Sequence, residues 1–134
     1  MITDKSPNDY TTTGIITASK LIGRKVPRIQ NIVSSTSITP NSDTDDMVKI
    51  TALVANTTFQ IPSGTLVDGQ VLTIQVKSDA TPRNLVFIQT AGGYANGGTA
   101  LPTITVALKT MSMLFVADTN ETLPWRLRSV AQEA

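Results

Sequence analysis

Three carboxylates within one short run, Asp43, Asp45 and Asp46, are the densest chemistry in the chain. Hydrolysis by paired acids needs two carboxyl groups facing each other across a cleft. Calcium needs more carboxylate or carbonyl donors at defined spacing than this run provides. The run stands in a polar stretch just before a strand, so the preferred reading is a solvated turn that caps the strand, with a calcium ligand or an intersubunit ion pair as the alternative. A serine nucleophile has no base to activate it, because the chain has 0 His, and no Ser–Lys dyad can be picked out among many serines and few lysines. The glycine-rich stretch 91–98, AGGYANGG, lacks the Lys-Ser or Lys-Thr and the helix start that a phosphate-cradling loop requires. Its Tyr94 could stack on a sugar or a base, and its Asn96 offers both a donor and an acceptor. The competing reading is a plain loop or a contact with a neighbouring subunit. Arg24, Lys25 and Arg28 could meet phosphates, but no aromatic stacking residues accompany them.

The elements that must position these groups are β-built. The chain has 134 residues, 40% of them hydrophobic, 16% charged and 4% aromatic. That length suits one domain whose core is made mainly of Val, Ile, Leu and Ala, with Ser and Thr on the outer faces. With 0 Cys, disulfides, cysteine-ligated zinc and thiol nucleophiles are excluded. A net charge of +1 gives no whole-molecule attraction to nucleic acid or membrane. The N-terminus has no apolar stretch of signal-peptide length and nothing downstream reaches a membrane span. The expectation is therefore a protein made and used without secretion, with the sequons at Asn56 and Asn120 as coincidences.

Charge divides the chain. Residues 1–33 carry Lys5, Lys20, Arg24, Lys25 and Arg28 against Asp4 and Asp9, a net +3, while the remainder holds six basic and eight acidic groups, a net −2. In the front part the apolar residues come as isolated groups, Ile15-Ile16, Leu21-Ile22 and Ile29 with Ile32-Val33, broken by Pro7, Gly14, Gly23 and Pro27. No period is sustained, so residues 1–37 read as an extended arm that becomes ordered against a partner. Arg24, Lys25, Arg28, Ile29 and Ile32 are its candidate docking residues.

Residues 38–134 read as one β domain. Alternation predicts strands at 48–54, 57–61, 70–77, 84–90, 103–107, 111–117 and 125–131, separated by turns at Pro62-Ser63-Gly64, around Pro82, in the glycine-rich stretch and before Pro124. In this reading Val48, Ile50, Ala52 and Val54 share one face, and Trp125, Leu127, Ser129 and Ala131 share another. Strands at roughly ten-residue spacing without an amphipathic helix predict an antiparallel β-sandwich or jelly-roll-like barrel. Trp125 is expected in the core or a subunit interface, and Arg126 and Arg128 on the opposite face, paired with acids such as Glu121.

The strings TPNSDTDDMVKITAL at 39–53, FQIPSGTLVDGQVLTIQVK at 59–77, LPTITVALKT at 101–110 and the closing Trp125 with VAQEA at 130–134 carry a further signal. Together they resemble a β domain that recurs in virion proteins of tailed bacteriophages. The middle departs from that pattern, with Val86-Phe87-Ile88 and the loop around Tyr94 standing where the family often has a Trp strand and an aromatic-basic turn. The resemblance implies a phage origin and a structural, often trimeric role in fibres, head decorations or tail attachments. On it rests the expectation of a non-enzymatic virion protein, made in the bacterial host cytoplasm and carried on the phage particle. A homotrimer would be anchored through the basic arm to the major capsid protein or another virion protein, with no cofactor, no membrane and nucleic acid as the weaker partner. Capsid decoration or a head fibre is favoured because 134 residues leave no room for a long shaft. The alternative is a tail-fibre or receptor-binding module that recognises a host surface glycan through Tyr94 and Asn96.

Overall fold

A computed structural model describes residues 26–134. Arg24, Lys25 and the earlier part of the arm lie outside the described residues. Nine strands follow one another: β1 (Ile29–Ile32), β2 (Ser37–Ile38), β3 (Met47–Leu53), β4 (Thr57–Phe59), β5 (Val71–Ser78), β6 (Leu85–Phe87), β7 (Tyr94–Asn96), β8 (Thr110–Ala117) and β9 (Trp125–Gln132). They form a large sheet in the order β1-β3-β5-β8-β9-β7 and a small one in the order β2-β4-β6.

The expected all-antiparallel pairing is corrected. From β1 to β6 the chain passes from the large sheet to the small one and back at every step. Successive strands of the same sheet therefore run the same way: β1, β3 and β5 are parallel, as are β2, β4 and β6. This stretch winds as a flattened coil in which the other sheet supplies the crossover that parallel pairing needs. Among the described strands antiparallel pairing joins β5 to β8 and β8 to β9, and the short β7 joins the far edge parallel to β9. Alternation marks a half-buried strand but carries no information on its direction, which is why the sequence pattern misled here.

Residues 26–37, assigned to the arm from sequence, contribute β1 and the first residue of β2. The expected strand at 103–107 is reduced to isolated bridges, Asn84 with Ile104 and Ser78 with Ala107. Two backbone bonds tie it to the approach to β6, Leu85 N–H to Thr103 C=O at 2.8 Å and Thr105 N–H to Arg83 C=O at 2.9 Å.

The core lies between the sheets. Val48, Ile50 and Leu53 of β3, Leu72, Ile74 and Val76 of β5, and Met111, Met113 and Phe115 of β8 face Ile38, Phe59, Leu85 and Phe87 of the small sheet. Aromatic rings bridge the layers: Phe87, stacked on Phe59 within the small sheet with centroids 4.7 Å apart, lies 5.8 Å from Phe115 and 5.2 Å from Tyr94 of the large one. Such pairs add about 0.5–1.5 kcal/mol each beyond their area burial.

Two irregularities redirect side chains against the simple alternation. Between Ile50 and Leu53 the register of β3 shifts, so Leu53 rather than Ala52 turns inward and Val54 is left exposed. In β9 Phe115 pairs with Leu127 and Leu114 with Ser129, which leaves Arg128 as the extra residue. Beyond it Val130 packs against the core, while Ser129 and Ala131 are exposed, the reverse of the expected order.

Candidate functional site

Part of the stretches that carry the resemblance, 41–46, 62–65 and Gln70, meet in one interlocked turn. Asn41 organises its first half: its carbonyl accepts Thr44 N–H and Asp45 N–H at 3.0 and 2.7 Å, and its Oδ1 accepts Asp43 N–H at 2.9 Å. Asp45 returns the bond by accepting Asn41 N–H at 2.9 Å. The Pro62–Thr65 turn is then stitched on. Ser42 N–H donates to Ser63 C=O at 2.8 Å, the buried Ser42 hydroxyl lies 3.0 Å from both Ser63 O and Thr65 O, and Thr65 N–H donates to Asp43 Oδ1 at 2.9 Å. From the third segment, Gln70 Nε2 donates to Ser42 O at 2.6 Å. Gly64 fits this crossing for a steric reason. Its φ is +92°, and a Cβ there would stand 2.7 Å from Asn41 Oδ1 and 2.8 Å from Ser42 Oγ.

Arg28 closes the cluster from β1's side. Its Nε and Nη2 grip Asp46 Oδ2 and Oδ1 at 3.1 and 2.8 Å, its own N–H donates to Asp46 Oδ2, and its Nη1 donates to Asp43 C=O. This fork pairing, helped by the nearby Asp45 and Asp43, raises the guanidinium pKa. The carboxylates thus serve the turn reading: Asp43 and Asp45 accept backbone donors and Asp46 holds Arg28. Among the described residues no three His, Cys, Asp or Glu side chains come together to hold a metal. Beside the fork, Pro27, Arg28, Met47, Gln70, Val71 and Thr73 border an open hollow of about 540 Å³. Gln70 Oε1 is buried there without a donor among the described residues.

Of the other arm residues expected to dock, Ile32 packs against the core of its own chain, while Ile29 is exposed on the edge strand. Arg28 is used within the chain. Arg24 and Lys25 lie outside the described residues.

The stretch around Tyr94 is corrected from exposed loop to core. Tyr94 is 0% exposed, its ring lies 5.2 Å from Phe115 in an edge contact, and its hydroxyl donates to Gln60 C=O at 2.9 Å. Burial pushes its pKa up. The glycines make this possible rather than keeping the segment loose. A Cβ at Gly93 would stand 2.2 Å from Ile88 O, so only glycine lets the chain turn tightly enough to send β7 alongside β9. Asn96 remains exposed, with its Oδ1 accepting Leu101 N–H at 2.9 Å. It borders a shallow hollow of about 350 Å³ with Val86, Gln89, Leu101 and Pro102, where no exposed aromatic ring is available for a sugar.

Trp125 is buried in the core. Arg126 pairs with Glu121 at 3.3 Å as expected, and Arg128 donates to Gly97 C=O at 3.2 Å. Sequence reasoning passed over two features. Arg83 and Asp79 form an ion pair at 2.7 Å that holds the carboxyl below its ordinary range, and the i, i+4 spacing in a turn gave no reason to pair them. Leu108 adopts a positive φ of 62°, for which nothing in a Val-Ala-Leu-Lys run gives warning. Among the described residues no helix is long and apolar enough to cross a membrane. Comparison with known proteins finds no family model, no curated protein and no solved structure that matches the chain.

Proposed function

We propose that this chain is a non-enzymatic structural protein of a tailed-bacteriophage virion. In this reading it is a homotrimeric capsid-decoration or head-fibre subunit that meets the major capsid protein or a neighbouring virion protein through its basic N-terminal arm. The observation that carries the proposal is where one part of the resembling residues goes. Asn41, Asp43, Gly64, Thr65 and Gln70 are joined to each other in one turn cluster and hold three segments of a β body together. Residues used to lock a scaffold are what a structural module needs. The reading also draws on the carboxylates of that cluster, of which Asp46 pairs with Arg28 while Asp43 and Asp45 accept backbone N–H groups.

The glycan-binding alternative keeps Asn96 but loses the Tyr94 ring on which it depended. Mass spectrometry of purified particles of the phage whose genome encodes this chain tests the proposal: the protein should be a stoichiometric component, and its absence from particles would overturn it. Imaging of virions labelled on this chain then separates head from tail placement. The arm is best tested by removing residues 1–25 rather than a longer piece, since β1 belongs to the large sheet. The shortened protein should fold and fail to attach.

A further inference from the structure

Asn96 is the one asparagine of this chain that is followed by glycine. It is the last residue of the short edge strand β7, and it is exposed. The amide carbon of an asparagine side chain can be attacked by the backbone nitrogen of the next residue, because the five-membered ring that closes is unstrained. A side chain on that next residue hinders the attack, and a hydrogen bond from its N–H ties up the nitrogen.

Four other asparagines are guarded in both ways. Ser42 N–H after Asn41 donates to Ser63 C=O at 2.8 Å, Thr57 N–H after Asn56 to Asn84 C=O at 3.0 Å, Leu85 N–H after Asn84 to Thr103 C=O at 2.8 Å, and Glu121 N–H after Asn120 to Asp118 C=O at 3.2 Å. Gly97 carries no side chain, and the fold requires that: a Cβ there would stand 2.6 Å from Leu127 O and 2.9 Å from Arg126 Cβ. Among the described residues its N–H makes no bond outside the β7–β9 ladder, which ends at Asn96. Packing of the end of β7 against β9 thus selects the one residue type that leaves the attacking nitrogen bare.

The side chain is also held for the reaction. Asn96 Oδ1 accepts Leu101 N–H at 2.9 Å. When nitrogen adds to Cγ, negative charge develops on that oxygen, and a backbone donor already in place stabilises it. Arg128 stands beside the site with its Nη1 on Gly97 C=O at 3.2 Å, and it has no carboxylate partner among the described residues. A carboxylate formed here would meet a counterion.

We propose that Asn96 and Gly97 form a self-modification site, at which the asparagine converts to aspartate or isoaspartate with Leu101 N–H stabilising the reaction and Arg128 facing the product. Gly97 N gives up its proton to hydroxide and attacks Asn96 Cγ. The Cγ–Nδ2 bond then breaks, and the nitrogen takes a proton from water and leaves as ammonia. Water opens the resulting cyclic imide at either carbonyl. One opening restores the ordinary backbone; the other routes the main chain through the side-chain carbons and puts it out of step with β9. The reaction consumes only water, and it does not depend on the virion-protein reading.

The test is peptide mass mapping of the full 134-residue chain, kept folded at mildly alkaline pH, with isoaspartate-specific methylation as a second readout. Asn96 should gain the mass of an amide-to-acid change roughly ten-fold or more faster than Asn41, Asn56, Asn84 or Asn120, and faster as pH rises because the nitrogen must lose its proton. Asn96→Gln, whose attack would have to close a six-membered ring, should stay unmodified at this position. Leu101→Pro removes the donor to Oδ1 and should slow conversion at Asn96 about ten-fold in chain that remains folded. Conversion of wild type at Asn96 no faster than at the other four asparagines overturns the site. Folded Leu101→Pro that converts at the wild-type rate overturns the part assigned to Leu101 N–H.

Discussion

The two sheets bury the same kind of side chain inward and show a mixture of polar and aliphatic residues outward. Inside, both contribute aliphatic and aromatic residues to one continuous core. Outside, the middle of the large sheet carries Lys49, Thr73, Gln75 and Ser112, and Gln75 Nε2 donates to Ser112 Oγ at 3.2 Å along the surface. The small sheet shows Ser37, Thr58 and Val86, with Ile104 and Val106 exposed in the segment beside it. Core packing dictates inward positions almost completely, since each must fill space at close-packed density. Outward positions are free of that demand. Outer positions such as Thr58 and Gln75 therefore tolerate polar side chains that inner ones such as Phe59 and Ile74 do not.

The inward half of this comparison breaks most visibly at Tyr94. Removing its ring should destabilise the chain by about 3 kcal/mol or more, because a large buried side chain leaves a cavity at the junction of the two layers. Urea midpoints of wild type and Tyr94→Ala measure this, and a change within surface-substitution range would put the ring back outside the core. Gly64→Ala comes next. It places a side chain at φ +92° and into the Asn41–Ser42 crossing, with an expected loss of ~2 kcal/mol. Tyr94→Phe isolates the bond to Gln60 C=O and should cost about 1 kcal/mol, readable in the same unfolding curves.

The outward half predicts small effects. Ser112→Ala on the large sheet should stay within about 0.5 kcal/mol of wild type, the range of substitutions away from core, caps and networks. The smallest effect is a pH dependence. Arg83 depresses the carboxyl of Asp79 below its ordinary 3.8, so the folded state holds Asp79 ionised more readily than the unfolded chain does. Its contribution is fully present above pH 3.8 and is lost as pH falls through the depressed folded value. Arg83→Ala should accordingly lower stability slightly in the neutral region, where that contribution is present, and converge on wild type at acid pH, so that the acid limb is flatter. An unaltered acid limb would show that the pair is screened by solvent.

Particular elements show how far the chain could be read in advance. The expected 70–77, 111–117 and 125–131 lie within one residue of β5, β8 and β9, because β5 and β8 alternate strictly over eight residues and β9 does so up to its extra residue Arg128. β1 and β2 were missed, since four and two residues are too few for a period to stand out. β7 was missed because glycines on both sides of Tyr94-Ala95-Asn96 signal a turn, and what makes them a strand is the neighbouring β9. The acidic run was legible as a turn. Arg28 as its partner was not, as the two are brought together by parallel pairing of β1 with β3.

By its sequence alone this protein was determined to be all-β, free of cysteine and histidine chemistry, and built around Val, Ile, Leu and a few aromatic residues, because those properties follow from composition and local period. Strand direction, the two register shifts, the burial of Tyr94 and the strained exposure of Leu108 were decided only by the tertiary structure. Each depends on which segment comes to lie beside which, and that is set when two sheets close over a shared core rather than by any residue's near neighbours in the chain.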